Sequence, residues 1–340
     1  MRFYAKDRLV RDGFLFSWNC IDDKLGYMYS DRHNESERTG YCVHGNRPTS
    51  CKRCISDIEG LCEKLLTTEQ EGEAMKKKES HPFFKESFAK GDKQIALFGT
   101  RHTSKEPIIA EMVQQYREIK PDVIFCEGND IHTLFPGMTD EEIRSQDPKE
   151  VMEKEEQIFL IWQAFKDGKE ALSWDLPFHD QLIIAFEKHG QDVVAGWVVT
   201  YALGKLYSHH ESPSVAKLDE LLPAVISQSE RNALAERGLD LRNEALEAAC
   251  KKYTGFDFKE LAERFQDPGY YEQDFSDLRA LYDPRGSGET NGVLKDMNVA
   301  RDRHAIKVLH AAKQKYKNIV VFAGGSHVLT WKPAIEEMYK

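Results

Sequence analysis

The chain has 340 residues, enough to bury the core of one large or two modest domains, and its 41% hydrophobic and 31% charged residues are those of an ordinary globular protein. Lys plus Arg number 47 against 57 Asp plus Glu, so the formal net charge of −10 leaves no global field that would draw nucleic acid or anionic lipid. The N-terminus, MRFYAKDRLVRDGFLF, has no apolar leader core, and no window approaches the roughly 18 uninterrupted apolar residues of a membrane span. These features predict a cytoplasmic protein, and the odd, low count of seven cysteines fits a reducing compartment better than a disulfide framework.

Residues 1 to about 90 form a first region that holds five of the seven cysteines and runs out through TTEQEGEAMKKKESHPFFKESFAKGDK, read as a linker or solvated surface segment. Four of those cysteines, Cys42, Cys51, Cys54 and Cys62, are spaced C-x8-C-x2-C-x7-C with His44 nearby. A single C-x2-C is half of a zinc site, so a structural zinc and ordinary reduced thiols both remain open. In particular, Ile55, Ile58, Cys62 and Leu65 recur at helical spacing, which suits Cys62 as a small buried hydrophobe.

The second region, 91–340, opens with the strand KQIALFGT. A helix follows, with Ile108, Ile109, Met112 and Tyr116 on one face, and then the strand VIFC inside PDVIFCEGND. Strand, helix and strand predict a parallel βαβ unit. A helical segment from about Asp140 to Asp167 leads to a third strand, EALSWDLPF, ending near Asp175. Residues from 178 to about 280–290 carry helical periodicity and no strand pattern, which predicts a helical insertion or cap over the α/β core. The chain closes with a helix from about Val293 to Tyr316, the strand KNIVVFAG and a short helix from Lys332. The expected fold is therefore α/β: a mainly parallel sheet core with a long helical insertion and a small Cys-containing N-terminal region.

Two strands run into the same turn, GTRH at 99–102 and GGSH at 324–327, and a third ends in Glu127. In parallel sheets ligands bind beyond the carboxyl ends of the strands, so His102, Glu127 and His327 are expected at one edge, where glycine lets the backbone turn sharply. Two histidines and a carboxylate are a common divalent-metal set. In GVLKDMNVARDRHAIKVLHAA the apolar face runs Leu294, Met297, Ala305, Val308 and Ala312; Arg301 falls on it and Arg303 does not. A buried guanidinium must find a carboxylate, carbonyls or a ligand anion. Asp175 and His179 end the third strand and either complete the site or serve as a helix cap and a loop residue. SHHES at 208–212 lacks the H-E-x-x-H spacing, and neither a G-x-G-x-x-G nor a P-loop is present.

The ordered set GTRH, CEG, ARD on a helix and GGSH resembles the TraB/PrgY/TIKI superfamily, whose wider relatives include erythromycin esterases and ChaN-like proteins. The resemblance covers about 93–175 and 293–335, and departs from the pattern at Ala300, where an acidic residue often precedes the Arg. It implies an α/β core with its site at the strand ends, and hydrolysis of an amide or ester bond in a peptide or small molecule. The first expectation is a metal-dependent hydrolase, in which His102, Glu127 and His327 would hold Mn, Co or Zn, with Arg301 and Asp175 assisting. An esterase-like version uses one of the two histidines, oriented by Glu127, as general base without metal. A non-catalytic protein holding metal, haem or peptide in the same pocket is the alternative class.

Overall fold

The computed structural model describes residues 52–66, 70, 84–100, 106–127, 131–154, 156–208, 222, 226–265 and 286–340. The chain divides into two units, Met1–Glu63 and Lys64–Lys340. In the first, helix α1 (Lys52–Cys62) buries Ile58, Leu61 and Cys62, while Leu65 lies beyond its end and the side chain of Ile55 lies outside the described residues. Cys42, Cys51 and the side chain of Cys54 lie outside the described residues, and the zinc expectation with them.

The second unit is built on a five-stranded sheet in the order β1-β2-β5-β3-β4, with β1 (Phe84–Lys90), β2 (Lys93–Thr100), β3 (Val123–Cys126), β4 (Glu170–Ser173) and β5 (Asn318–Gly324). β1 pairs antiparallel with β2, and the other pairings are parallel. The expected linker thus ends in a strand. Gly91, at φ +63°, closes a tight hairpin onto β2, a conformation that glycine adopts without a Cβ penalty. The charges of KESFAK are tolerated because β1 is an edge strand, where exposed lysines also discourage further pairing.

Between β2 and β3 runs α2 (Glu106–Ile119). The helical segment expected between Asp140 and Asp167 is broken into α4 (Asp140–Arg144), α5 (Pro148–Met152) and α6 (Glu156–Lys166), after the single turn α3 (Ile131–Leu134). The breaks have local causes. Thr139 and Glu142 form a capping box, and Asp147 caps Lys149 N with Pro148 at the first helical position. Ala96, Phe98, Ile124, Cys126, Val320 and Phe322 pack on α2 and α6, which cover one face of the sheet. Ile95, Leu97, Phe125 and Val321 alternate to the other face and are also buried.

Between β4 and the long α12 (Glu289–Lys315) the described residues form five helices: α7 (Phe178–His189), α8 (Gln191–Ser208), α9 (Gln228–Glu236), α10 (Asn243–Thr254) and α11 (Phe258–Phe265). They share one apolar cluster with Val293 and Met297 of α12. After β5 the chain enters α13 (Gly325–Met338) at once, packing against β1, β2 and β5. This helix begins seven residues before the expected Lys332, so the second G-x-x-H is the strand-to-helix junction itself. No described helix is long and apolar enough to cross a membrane.

At Gly196 of α8, a Cβ would sit 2.2 and 2.7 Å from ring atoms of Tyr253 on α10. The close α8/α10 approach therefore requires glycine. Gly196→Ala is expected to lower unfolding free energy by about 1–3 kcal/mol through overpacking, measured by chemical denaturation. An unchanged midpoint would show that the α8/α10 packing yields without cost.

Candidate functional site

The parallel register aligns the strand ends. Thr100 pairs with Gly324, Cys126 with Ser173, and Phe125 with Val321. The residues that follow these ends are Glu127 after β3, Trp174 and Asp175 after β4, and Gly325 to His327 after β5. His102, two residues beyond β2 in sequence, lies outside the described residues.

Trp174 is fixed first. Its backbone N–H continues the ladder to the Cys126 carbonyl at 3.2 Å, and its indole Nε1 donates to the Phe322 carbonyl at 2.8 Å. The buried indole thus spans the strand ends, and Asp175 follows it.

Arg301 reaches these ends from α12. The helix places Val293, Met297 and Arg301 at successive four-residue steps, so one stripe passes from the apolar cluster to the strand ends. Arg301 grips Asp175 as a fork, Nε to Oδ1 at 2.7 Å and Nη2 to Oδ2 at 2.9 Å. The same Nη2 donates to Glu127 Oε1 at 2.5 Å. Burial of this side chain, 14% exposed, opposes its charge, but the carboxylates of Asp175 and Glu127 outweigh that and hold its pKa above the ordinary arginine value. The guanidinium also sits 5.5 Å from the Trp174 ring centre, within cation–π range. Three residues expected at the site, Glu127, Asp175 and Arg301, are therefore brought together as an ion-pair cluster.

His327 occupies the first turn of α13. Its Nδ1 lies 2.7 Å from Oδ1 of Asp302, and the same oxygen accepts the indole N–H of Trp331 at 2.6 Å. His327 and Trp331 are four residues apart on one face of α13, with ring centres 5.6 Å apart, while Trp174 packs at 5.3 Å from His327 and 4.7 Å from Trp331. Burial works against the imidazolium, and so does nearby Arg301. The carboxylate of Asp302, both as a charge and as a hydrogen-bond partner, with Glu127 adding to it, prevails and raises the His327 pKa above its ordinary value.

Asp302, Trp174, Trp331 and Gln157 are not among the residues expected from sequence. Asp302 follows Arg301, and a helix turns roughly 100° per residue. It therefore leaves the Arg301 stripe and joins Ile306 and Leu309, which are also buried. That second buried stripe and the i, i+4 pair His327/Trp331 were the available signals. Gln157, at the start of α6, accepts the backbone N–H of Glu127 through Oε1 at 3.2 Å. His179 does not join the cluster. It is 40% exposed and pairs with Asp180 at 3.4 Å.

The donor chemistry can be weighed against a divalent metal. Oε1 of Glu127 and both oxygens of Asp175 face the Arg301 guanidinium, and Nδ1 of His327 faces Asp302. Among the described residues no group of three or more His, Cys, Asp or Glu side chains is arranged to hold a metal ion. These residues by themselves do not fit a divalent cation, which would compete with an arginine for the same carboxylates. Comparison with known proteins names no relative: no family model matches the chain, and neither a curated protein nor a solved structure matches it.

Two stability measurements probe this geometry. Arg301→Ala leaves two partly buried carboxylates uncompensated and is expected to cost about 3 kcal/mol or more. Arg301→Lys keeps the charge, loses the fork and should cost less. Losses under about 0.5 kcal/mol for both, the range of ordinary surface substitutions, would show that the ion pairs do not hold the helix.

The second follows from the raised His327 pKa. The stability that protonated His327 gains from Asp302 is fully present below the unfolded histidine pKa, about 6.5, and is lost as pH rises through the higher folded value. The stability advantage of the wild type over His327→Gln should therefore shrink from pH 6 to pH 9, read from paired melting curves. An advantage that stays constant or grows with pH would contradict it.

Proposed function

We propose that this chain is a hydrolase of an ester or amide bond, with His327 as general base, oriented by Asp302, at the carboxyl ends of the sheet. The observation that carries the reading is the pair of donors on one oxygen of Asp302. Trp331 can only donate, so Asp302 acts there as an acceptor, and His327 satisfies the same oxygen by donating from Nδ1. The neutral ring then keeps its Nε2 lone pair for a substrate proton. In the reaction Nε2 takes a proton from water as the water oxygen bonds to the acyl carbon, and the carbonyl π pair moves onto oxygen. When the pair returns, the bond to the alcohol or amine breaks, and the leaving group takes the proton from His327. The products are a carboxylic acid and an alcohol or amine.

The resemblance to the TraB/PrgY/TIKI superfamily supports the same class. In this reading the helices between β4 and α12 are an insertion walling a site in a cytoplasmic enzyme, and the substrate is a peptide or a small ester or amide.

One observation also favours the metal-dependent form: a carboxylate on one imidazole nitrogen is how proteins present the other nitrogen to a metal. A bound Mn, Co or Zn would polarise the carbonyl and acidify water. His102 would have to join His327, and Glu127 would have to leave Arg301.

A panel of p-nitrophenyl esters and fluorogenic peptides, assayed with and without chelator, tests these readings. His327→Ala should lower kcat by about 100-fold or more, the usual contribution of a general base. Wild-type activity should fall toward acid, with an inflection above the ordinary histidine value, because the protonated ring cannot accept. Activity abolished by chelator and restored by Mn, Co or Zn would select the metal form. No turnover on the panel, with ligand retained, would select a binding protein.

A further inference from the structure

We propose that Gln157 is a ligand-contacting residue of the strand-end site, its Oε1 holding the backbone of Glu127 and its Nε2 donating to the acyl oxygen of the ester or amide. The proposal rests on the hydrolase reading for its substrate and on Gln157 itself for its geometry.

Gln157 is 4% exposed and lies at the start of α6, the helix that packs with α2 on one face of the sheet. Its Oε1 accepts the N–H of Glu127 at 3.2 Å, which fixes the orientation of the amide, because the NH2 end cannot accept that hydrogen. Nε2 is consequently directed away from Glu127 N. It is buried with no hydrogen-bond partner among the described residues. A buried donor without an acceptor costs about 1–3 kcal/mol, so a site that keeps one is poised for an acceptor from outside the chain.

Several neighbouring donors are already given to protein acceptors. Arg301 gives Nε and Nη2 to Asp175 and Glu127, Trp331 and His327 give theirs to Asp302, and Trp174 gives its own to Phe322. Acyl transfer places negative charge on the carbonyl oxygen, and a fixed donor there is among the largest contributions a site can make. With the Arg301 guanidinium already paired to Glu127 and Asp175 and His327 paired to Asp302, neither is left over for a ligand carboxylate, and the moiety bound beside Gln157 is an uncharged acyl group.

The test separates the two ends of the amide. Gln157→Glu keeps an acceptor for Glu127 N and removes the donor, while Gln157→Met removes both without adding charge. Two readouts are taken: kcat and KM on the p-nitrophenyl esters, and calorimetric binding of primary amides (butyramide, hexanamide and benzamide), which needs no turnover. Gln157→Glu is expected to melt within a few degrees of wild type, to lose at least roughly tenfold in kcat with little change in KM, and to bind the amides at least about fivefold more weakly, as a donor to the acyl oxygen requires.

Wild-type kcat and amide affinity in a folded Gln157→Glu would overturn the proposal and leave Gln157 as support for Glu127. If that variant does not fold, unchanged amide affinity in Gln157→Met overturns it equally. Amide binding that depends on Gln157, in a protein that turns over none of the esters, would sink the hydrolase reading and keep this one. Wild-type protein that binds none of the amides would sink this one.

Discussion

The structure turns on Arg301. A guanidinium that is 14% exposed must be compensated, since removing an arginine from water costs several kcal/mol before any pairing is counted. Here the compensation is supplied by two carboxylates from the ends of adjacent strands, Glu127 after β3 and Asp175 after β4. The consequence is mechanical as well as electrostatic. α12 is tied to the carboxyl edge of the sheet at a defined height, and the two carboxylates, which would repel each other if left alone, are held side by side.

Fixing Arg301 also fixes its neighbour. Asp302 is rotated by roughly 100° on the same rigid helix and is 6% exposed. It reaches α13 instead of the strand ends and gathers the imidazole of His327 and the indole of Trp331 on one oxygen. Two consecutive residues thus serve two different charges, Arg301 the strand carboxylates and Asp302 the imidazole. Trp174 joins the halves, with one contact to the guanidinium and one to the His327 ring, while its own N–H is committed to Phe322. The charges alternate through the cluster, which is what allows so many ionisable groups to share a partly buried edge.

The strand order explains why these groups meet. β5 enters between β2 and β3, so the last strand of the chain lies beside strands formed some two hundred residues earlier. The chain proceeds outward from β3 to β4 and returns through the helices to the centre of the sheet. Such a reversal opens a crevice at the carboxyl edge. Glu127, Asp175 and His327 each stand one to three residues past a strand end.

The sequence by itself determined the local facts. Apolar runs of strand length closed by glycine, a helical stripe carrying Arg301, and Glu127, Asp175 and His327 just past strand ends are all written within windows of a few residues, because strand and helix periods are local properties. It misplaced what depends on competition between neighbours. KESFAK lies in an edge strand because β2 was there to pair with it, and α13 starts at Gly325 because the end of β5 leaves no loop between them. Only the tertiary structure decided the partners. Arg301 meets Asp175 across 126 residues and Glu127 across 174. The role of Asp302 depends on His327, which lies on another helix. Periodicity shows which side chains are buried, but the identity of the group that neutralises a buried charge is set by strand order and helix placement, which no local window contains.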